Sequence, residues 1–519
     1  MNIRTPDLIR IFGENDLPVL RENQPDVTVT LSGSSQLNIT VSADETPLCR
    51  VELIWGLTDS EQRKEPVRVL GDAWERGYGD LEWRKIQPNR CMPWFFMVSN
   101  GSDSDLQVKG RRTECFGVKV RPAAFCYWKY DGKMITLAAD IRNGGAGVIL
   151  KGRKLEVATV IFSEYCDLSA YQSGCSFAKE MCKDGIFPAK PVYGFNNWYY
   201  AYGNSSADEI LSDTERLMKS CEGIDNPPYM VIDDGWQPNP CDGPWDRGND
   251  RFPDMRELAE RIAQKGAIPG IWIRPLLQKT ALKQELPKSW RFARDSEVLD
   301  PSIPEVLDYV EANISRLVEW GYRLIKHDFT TFDIFGKWGM ECPEQMGEDG
   351  WHFADRSKTT AEIILELYQR IRKSAGHAIL IGCNTVSHLC AGLVEINRTG
   401  DDTSGKDWER TRKMGVNTLA FRSILNKVFY MCDADCVGIT KEISWKLNQN
   451  WMKVLSQSGS PLFISWGCCA RNTEIEKEVR SAIRNGSLQE DQLIPLDWME
   501  QCCPTEWMIN GEKQTVLWS

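Results

Sequence analysis

The sequence predicts an antiparallel β-sandwich followed by a closed barrel of eight parallel strands with helices between them. Up to about residue 187, runs such as "DVTVTLSG" and "LNITVSA" alternate apolar and polar residues, as half-buried strands do. From "KPVYGFNNWYYAYG" onward, short apolar runs alternate with amphipathic stretches, the pattern of βα units around a parallel sheet. At 519 residues, the chain is long enough for more than one domain.

These changes of pattern divide the chain into three parts. We expect an N-terminal β-sandwich domain over residues 1–187, in which Asp131 and Gly132 form the turn of a hairpin. A (β/α)8 barrel follows over residues 188–487. Residues 488–519 form a strand-like tail that is too short for a domain of its own.

Eight short apolar runs are the candidate barrel strands. Between the fifth and the sixth, only "VSHLCAG" intervenes, so one helix of the usual eight is missing. Several of the other helices begin at Ser, Thr or Pro and end at Gly, as capping chemistry predicts. The predicted strands are 193–199, 229–234, 268–274, 322–329, 378–383, 393–398, 428–433 and 461–466.

Composition excludes several classes of function. The formal charge is -11 and the basic residues are scattered, which argues against a nucleic-acid partner. No apolar run is long enough to cross a membrane, and the N-terminus has no apolar signal-peptide core. We therefore expect a cytoplasmic protein, or a periplasmic or secreted one if a leader was removed.

Cysteine and histidine usage predicts neither disulfides nor a metal. The 18 cysteines are scattered over a long chain, which is typical of buried thiols. There are four histidines and no HExxH motif, so histidine-based catalysis and zinc are both disfavoured. We expect no cofactor and no metal.

Polar residues at the ends of the predicted strands are the candidates for the site, because barrel active sites lie at the C-terminal ends of the strands. Carboxylates interleaved with tryptophans on a concave floor suit a sugar, whose hydroxyls bind carboxylates and whose C–H face packs on an aromatic ring. The candidates are Asp233, Asp234, Asp328, Asp401, Asp402, Asp433, Asp435, Arg274, Lys326, Arg398, Trp198, Trp236, Trp272 and Trp466.

The strand run "RLIKHDFTTFD" contains the most unusual pair. Lys326 and Asp328 are two residues apart, so they face one side while His327 and Phe329 face the other. A neighbouring cation would keep the Asp328 carboxylate ionised. The pair also has a purely structural explanation, as an ion pair inside the barrel.

Similar structural explanations apply to the other candidates. Asp233 and Asp234 have the pattern of a helix cap or turn, and Asp435 that of a loop cap. The 20 tryptophans have the simpler explanation of core packing. The prediction of a site rests on all of these residues falling at one edge of one barrel.

Four motifs at strand ends, "YGFNNW", "VIDDGWQ", "IKHDF" and "RTGDDTS", resemble in this order the melibiase clan of retaining α-galactosidases. The nearest relatives by motif are glycoside hydrolase family 36 and its neighbour family 27. The resemblance covers roughly residues 190–470 and extends more loosely to "GDAWERGYGDLEW" in the sandwich.

The resemblance implies a role for each matching residue. Asp328 resembles the nucleophile, and Asp402, four positions after Arg398, resembles the acid/base, with Asp401 as the second choice. The remaining matches imply contacts with galactose. These are Asp233 and Asp234 to O4 and O6, Lys326 to O3 and O4, Arg398 near O2, Cys383 beside the sugar, and Trp198 in the pocket wall, with Trp236 and Trp272 as further candidates.

The implied reaction is hydrolysis of terminal α-galactosides by double displacement. Asp328 attacks the anomeric carbon while Asp402, held protonated, donates to the leaving oxygen and then acts as base on a water. Retention requires the two carboxyl groups to lie about 5 to 5.5 Å apart, whereas inversion requires about 6.5 to 9.5 Å.

The chain also departs from the family pattern. "GIWIRPLL" has Arg274 where the family has an acidic segment, and "NTVSHL" replaces a Gly/Ser-rich loop. Arg274 predicts either an acidic or unusually polar neighbouring sugar or a salt bridge. The C-terminal sandwich of the family is nearly absent. The family also allows a homo-oligomer in which Trp74 covers a neighbour's pocket.

Several alternatives stay open at this stage. The same clan includes α-N-acetylgalactosaminidases, β-L-arabinopyranosidases and raffinose-synthase-like transglycosylases. A non-catalytic carbohydrate-binding protein is disfavoured because both acids remain. Clustered aspartates also allow a Mg²⁺ enzyme.

Overall fold

The structure is a computed structural model. It describes residues 4–19, 24–58, 66–100, 108–279, 286–342, 344–347, 350–489 and 493–519.

Two antiparallel sheets form the N-terminal sandwich. One sheet has the order β1-β4-β10-β9-β6, and the other has the order β2-β3-β11-β8-β7-β5. Their inner faces follow the predicted alternation, since Leu37, Ile39 and Val41 of β3 are buried and the residues between them are not. The strands are β1 (Leu8–Phe12), β2 (Thr28–Ser32), β3 (Leu37–Ser42), β4 (Arg50–Gly56), β5 (Arg68–Gly71), β6 (Met92–Pro93), β7 (Phe95–Ser99), β8 (Arg112–Val118), β9 (Phe125–Tyr130), β10 (Met134–Asp140) and β11 (Lys154–Cys166).

The second part is a parallel barrel. Its strand segments follow one another in the order β20-β19-β18-β17-β14-β13-β12-β22-β21. The segments are β12 (Tyr193–Asn196), β13 (Tyr229–Ile232), β14 (Ile268–Ile273), β17 (Leu324–His327), β18 (Ile379–Gly382), β19 (Ile396–Arg398), β20 (Met431–Asp433), β21 (Cys436–Ile439) and β22 (Leu462–Trp466), and a small antiparallel pair, β15 (Arg291–Phe292) and β16 (Asp295–Leu299), lies in the connection after β14.

The two ends of this row are joined by the chain itself. Segments β20 and β21 are separated only by Ala434 and Asp435, and Asp435 adopts a left-handed conformation with φ 71°. The first segment pairs with β19 and the second with β22. The nine segments are therefore the eight strands of a closed barrel whose seventh strand is broken at Asp435. This confirms the predicted sandwich and barrel.

The helices lie between the strands as predicted, and two of the connections are irregular. The connection from β18 to β19 has a single helical turn, α8, as the short "VSHLCAG" segment predicts. The run "WERTRKMGVNTLAFRSIL" is interrupted by a π-helical segment over Arg412–Asn417. The helices are α1 (Ala170–Met181), α2 (Trp198–Ala201), α3 (Ala207–Ser220), α4 (Met255–Gln264), α5 (Pro304–Glu319), α6 (Thr330–Phe335), α7 (Thr360–Ala375), α8 (Ser387–Cys390), α9 (Trp408–Thr411), α10 (Thr418–Arg422), α11 (Trp445–Ser456) and α12 (Thr473–Gly486).

The C-terminal tail is a small antiparallel sheet of β23 (Leu493–Pro495), β24 (Glu506–Ile509) and β25 (Glu512–Thr515). Its tryptophans attach it to the rest of the chain. Trp498 packs edge-on against Trp83 of the N-terminal part, with 5.4 Å between ring centroids. Trp518 stacks on Trp408 of α9. The domain division at residues 187 and 488 stays a prediction.

Candidate active site

The predicted site residues follow the ends of the barrel strands, on one rim. The strands themselves are shorter than predicted. The first ends at Asn196, and α2 begins at Trp198. The Asn196 side chain accepts a hydrogen bond from the Trp198 amide at 2.8 Å, which stabilises the turn between the strand and the helix. The fourth ends at His327, so Asp328 is the first residue beyond β17.

Asp328 is held by two donors, one on each carboxylate oxygen. The indole Nε1 of Trp272 donates to Oδ2 at 3.1 Å. The backbone amide of Phe329 donates to Oδ1 at 2.7 Å. Phe329 has φ 62°, a left-handed conformation that a bulky residue seldom adopts. This turn after the strand directs the Phe329 amide at the carboxylate and fixes its orientation.

Lys326 forms its ion pair with Asp233 and not with Asp328. The Lys326 ammonium nitrogen lies 2.8 Å from Asp233 Oδ2, and the Asn196 amide donates to the same oxygen at 2.7 Å. Burial lowers the pKa of Lys326, but the acidic groups around it, of which Asp233 has the largest effect, together hold the pKa well above its usual value. The predicted Lys326–Asp328 ion pair is thus corrected, because the lysine crosses the barrel floor to another strand.

Asp234 is anchored by the loop that follows it. Gln237 Nε2 donates to Asp234 Oδ1 at 2.5 Å, and the Cys241 amide donates to the same oxygen at 3.0 Å. The Cys241 thiol donates to Oδ2 at 2.7 Å. Burial, together with the Asp234 charge, raises the pKa of Cys241 to about 12, so this thiol keeps its proton.

Arg398 connects the sixth strand to its neighbours. Its Nη1 lies 3.4 Å from the Cys383 sulfur, and its Nη2 lies 3.3 Å from Asp402 Oδ1 and 2.9 Å from Asp435 Oδ2. Asp435 also accepts from the amide and hydroxyl of Thr403 at 2.8 Å. Asp435 therefore fixes the loop that carries Asp402, and the break in the seventh strand gives it that position.

Two adjacent carboxylates at this rim differ in accessibility. Asp401 is held between two guanidinium groups, those of Arg76 and Arg410, each at 2.6 Å. Its side chain is 18% exposed, whereas that of Asp402 is 37% exposed. Asp402 is thus the more accessible of the two, and its role as acid/base stays a prediction.

The charge state of Asp402 differs from the one predicted for an acid held protonated. Burial raises its pKa, but the cations Arg398, Arg76 and Lys326 together outweigh burial and lower the pKa below its usual value. The carboxyl group is therefore ionised at neutral pH. Lys326 also acts electrostatically on Asp328, so this one ammonium group lies within reach of both acids.

The tryptophans at the rim have different environments. Trp198 is half-buried, with its ring centroid 5.6 Å from that of Tyr202. Trp236 has no exposed surface and packs against Trp245 and Trp320, so its predicted place at the sugar is corrected to core packing. The ring of Trp272 is also buried. It contributes through Nε1, which orients Asp328.

Arg274 forms the salt bridge that was one of its two predicted roles. Its Nε lies 3.1 Å from both carboxylate oxygens of Asp333 in α6. Its guanidinium carbon is 4.1 Å from the centre of the Phe329 ring. Burial raises the pKa of Asp333 to about 6, against the opposing effect of Arg274. Arg274 thus stabilises the turn after Asp328. Its charge is compensated by Asp333, so an acidic group on the substrate is not required to balance it.

Glu75 and Arg76 of the N-terminal part reach this rim, and the sequence interpretation missed them. Glu75 has no exposed surface and accepts from the Asn384 side chain at 2.6 Å and the Gly339 amide at 3.0 Å. The sequence feature that could have indicated them is the adjacent charged pair Glu75 and Arg76 inside the otherwise weakly charged run "GDAWERGYG". Trp74 is buried and packs on Trp94, so it does not extend to a neighbouring molecule. The segment contacts the barrel of its own chain instead.

The charges at the rim compensate one another within the protein. Asp233, Asp333, Asp401, Asp402 and Asp435 each have a Lys or Arg within ion-pair distance. In the part of the chain that the structure describes, no three His, Cys, Asp or Glu side chains are grouped so as to hold a metal ion. No helix of those residues is both long and apolar enough to span a membrane.

No family model matches the sequence. Comparison with solved structures gives the fold, which is that of the α-galactosidases of glycoside hydrolase family 36. The α-galactosidase TtGalA from Thermus thermophilus, solved in complex with p-nitrophenyl α-D-galactopyranoside, has a TM-score of 0.62 and 16% identity, over 94% of this chain and 98% of that one.

Two further solved structures have the same architecture. A family 36 α-galactosidase from Geobacillus stearothermophilus, in complex with 1-deoxygalactonojirimycin, has a TM-score of 0.62 and 12% identity over 98% of this chain and 79% of that one. The α-galactosidase from Lactobacillus brevis has a TM-score of 0.58 and 13% identity over 93% and 74%. At these identities the similarity concerns the fold.

Proposed function

We propose that this protein is a glycoside hydrolase that removes terminal α-galactosyl groups by double displacement, with Asp328 as nucleophile and Asp402 as acid/base. The observation that carries the proposal is that one barrel rim presents two different carboxylates, of which one is buried and oriented and the other is accessible. Asp328 is 8% exposed and has a donor on each oxygen, and the Asp402 side chain is 37% exposed beside Arg398.

The first step forms a covalent bond between Asp328 and the sugar. A carboxylate oxygen of Asp328 attacks the anomeric carbon as the bond to the leaving oxygen breaks, and that oxygen takes the proton of Asp402. In the second step, Asp402 takes a proton from water, which attacks the anomeric carbon and frees Asp328. The donors from Trp272 and Phe329 hold Asp328 in place for both attacks.

Proton donation requires Asp402 to be protonated in the complex. Without a sugar, the nearby cations lower its pKa. A bound sugar excludes water from the carboxyl, and this change favours the protonated form. In the second step, the ionised form of Asp402 acts as the base that removes a proton from the attacking water, and these cations stabilise that form.

The substrate assignment rests on the charged floor of the rim. Asp233, with Lys326 at 2.8 Å, and Asp234 offer acceptors and a donor to sugar hydroxyls. Solved proteins of this fold hold p-nitrophenyl α-galactoside, stachyose and raffinose. These complexes support a terminal α-galactoside as the substrate.

The two catalytic roles are tested separately by azide rescue. With an aryl α-galactoside and azide, Asp328→Ala should give the β-galactosyl azide, because azide takes the place of the missing nucleophile. Asp402→Ala should give the α-galactosyl azide, because azide attacks the covalent intermediate that Asp328 still forms. Each variant without azide should lose at least about 10²-fold in kcat.

Asp401→Ala is the matched control, since it removes the neighbouring carboxylate and should give no azide product. Labelling with a fluorinated galactosyl reagent and mass spectrometry should place the sugar on the peptide that contains Asp328. Unchanged turnover in Asp328→Ala, or a label elsewhere, would refute the assignment.

Substrate panels separate the related activities. Wild-type enzyme should hydrolyse the aryl α-galactoside faster than the N-acetyl-α-galactosaminide and the β-L-arabinopyranoside. Product analysis with excess acceptor sugar measures transfer against hydrolysis. Loss of activity with EDTA would instead favour a Mg²⁺ enzyme, and binding without turnover would favour a carbohydrate-binding protein.

A further inference from the structure

A segment of the sandwich pairs with the loop that carries Asp402. After β5, the chain runs to Gly77, whose amide donates to the Thr399 carbonyl at 2.8 Å. The Asp401 amide donates back to the Gly77 carbonyl at 3.0 Å. Gly77 and Gly400 thus form a short parallel bridge between the two domains. The acid/base loop is therefore paired on one side with residues from outside the barrel.

Arg76 strengthens this pairing with a buried charge. Its Nη2 lies 2.6 Å from Asp401 Oδ1, and its Nη1 lies 3.5 Å from the Cys383 carbonyl oxygen. Its guanidinium carbon lies 5.1 Å from the centre of the Trp338 ring. The side chain is 4% exposed. One cation thus joins the loops after the fourth, fifth and sixth barrel strands.

Glu75 fixes the direction in which Arg76 points. Its carboxylate accepts from the Gly339 amide, the Asn384 side chain and the Tyr78 hydroxyl. Each carboxylate oxygen therefore has a partner from the barrel. The backbone of the segment is held before and after Arg76, so the guanidinium group has little freedom to leave Asp401.

We infer that Arg76 is a positioning residue for the reaction: it holds the Asp401–Asp402 loop in register and maintains a fixed positive charge beside the acid/base. This inference rests on the proposed function for its kinetic consequences, but not for its structural one. Arg76 acts through Asp401, and its role would require the sandwich of the same chain to be docked before the barrel can catalyse proton transfer.

The electrostatic effect has a definite sign. After burial, which raises the Asp402 pKa, Arg398 and Arg76 are the two strongest of the cations that lower it. Removing Arg76 should raise the pKa of Asp402. Since a general acid acts in its protonated form, the high-pH limb of kcat/KM should move to higher pH.

The test uses Arg76→Met with two readouts, one of which is independent of activity. Hydrogen exchange measured by mass spectrometry should be faster in the peptide containing residues 399–406, because the Asp401 amide donates to the Gly77 carbonyl, and Arg76 no longer anchors that segment to the loop. On an alkyl α-galactoside, which needs protonation of its leaving group, kcat/KM at the optimum pH should fall about 10- to 100-fold, because displacement of the acid outweighs its larger protonated fraction. On an aryl α-galactoside with an acidic phenol, kcat/KM should fall by less than about three-fold.

Two variants provide comparison. Arg112→Met removes an ion pair to Glu114 that lies within the sandwich, at 2.8 Å, and should change neither the exchange of residues 399–406 nor the ratio between the substrates. Arg76→Lys keeps the charge and should restore part of the alkyl activity. If Arg76→Met does not fold, Asp401→Asn removes the same ion pair from the barrel side and should give the same substrate-dependent loss.

The outcomes separate this inference from the proposed function. Wild-type protein without glycosidase activity would refute the proposed function, while the exchange measurement would still decide whether Arg76 holds the loop. Unchanged exchange in folded Arg76→Met would overturn the positioning role. Equal losses on both substrates, with no movement of the pH profile, would also overturn it, because they would indicate a general effect on binding.

Discussion

At the scale of single residues, the candidate site depends on how each carboxylate is held. Asp328 is oriented by Trp272 and by the amide of Phe329, whereas Asp402 contacts Arg398 at 3.3 Å and has a more exposed side chain. A nucleophile benefits from a fixed direction of attack, and an acid/base that serves a departing group and then a water benefits from access. The two environments match the two proposed roles.

The Trp272 hydrogen bond is testable by a single substitution. Trp272→Phe keeps an aromatic ring but removes the Nε1 donor to Asp328, so we expect kcat to fall by roughly ten-fold and stability by about 1–3 kcal/mol. Steady-state kinetics and urea unfolding measure the two effects. The control is Trp128→Phe, which removes a similar buried donor to the Trp94 carbonyl, at 3.0 Å, in the sandwich. A control variant with the same loss of kcat would contradict an orienting role for Trp272.

The charge on Asp402 predicts the pH dependence of activity. Because nearby cations lower its pKa, the protonated acid should be scarce in the free enzyme at neutral pH. We therefore expect kcat/KM for an alkyl α-galactoside to rise as the pH falls below neutrality. For an aryl galactoside with an acidic phenol, kcat/KM should change little over the same range, since this substrate leaves without a proton. Parallel pH profiles for the two substrates would contradict the assignment of Asp402 as acid.

At the scale of elements, the loops after the barrel strands are fixed by close backbone packing. A Cβ on Gly400 would lie 2.2 Å from the Met414 carbonyl oxygen and 2.6 Å from Thr418 Oγ1. The absence of a side chain lets the loop that carries Asp402 lie against the π-helical segment over Arg412–Asn417. The irregular helix and the glycine thus belong to the same packing contact.

Gly400→Ala should therefore displace the acid/base loop. We expect a loss of about 1–3 kcal/mol in the free energy of unfolding and a fall in kcat, because the added methyl group meets backbone that cannot rotate away. Urea unfolding and kinetics are the measurements. Gly56→Ala is the control, since a Cβ there would meet nothing closer than 3.5 Å. Full activity in Gly400→Ala would contradict the tight packing of this loop.

At the scale of the whole molecule, sandwich and barrel share a buried polar contact. Arg422 of α10 lies with its Nε 3.0 Å from Asp72 of the sandwich, and its Nη1 donates to the Glu75 carbonyl at 2.7 Å. The side chains of Arg422 and Asp72 are 2% and 4% exposed. This ion pair lies directly behind the segment that carries Arg76, so domain docking and site geometry depend on the same residues.

Arg422→Met should be strongly destabilising, because it leaves the Asp72 carboxylate buried without its partner. We expect a loss of about 3–5 kcal/mol in the free energy of unfolding. Arg370→Met is the contrast, since its ion pairs with Glu311 and Asp308 join α7 to α5 at a partly exposed surface. There the loss should stay below about 1 kcal/mol. Thermal and urea unfolding compare the two, and equal losses would contradict a buried interdomain ion pair.

Much of the fold was predictable, because the patterns that predict it are local. The alternation in "LNITVSA" and the short apolar runs of the barrel depend only on neighbours in sequence. Strand ends were less predictable, since Phe329 leaves the strand through a left-handed conformation that its residue type does not favour. The broken seventh strand was not predicted either. At the break, Asp435 pairs with Arg398 from another strand, a contact that no local pattern indicates.

The sandwich, the barrel and the acidic residues at the ends of its strands could be predicted from sequence alone. Hydrophobic periodicity and strand ends depend on residues that are neighbours in the chain. Only the tertiary structure decided which charges pair. Lys326 pairs with Asp233, Arg274 pairs with Asp333, and Arg76 reaches Asp401 from the other domain. Ion pairs depend on distances of a few ångströms between residues far apart in the chain, and those distances exist only after folding.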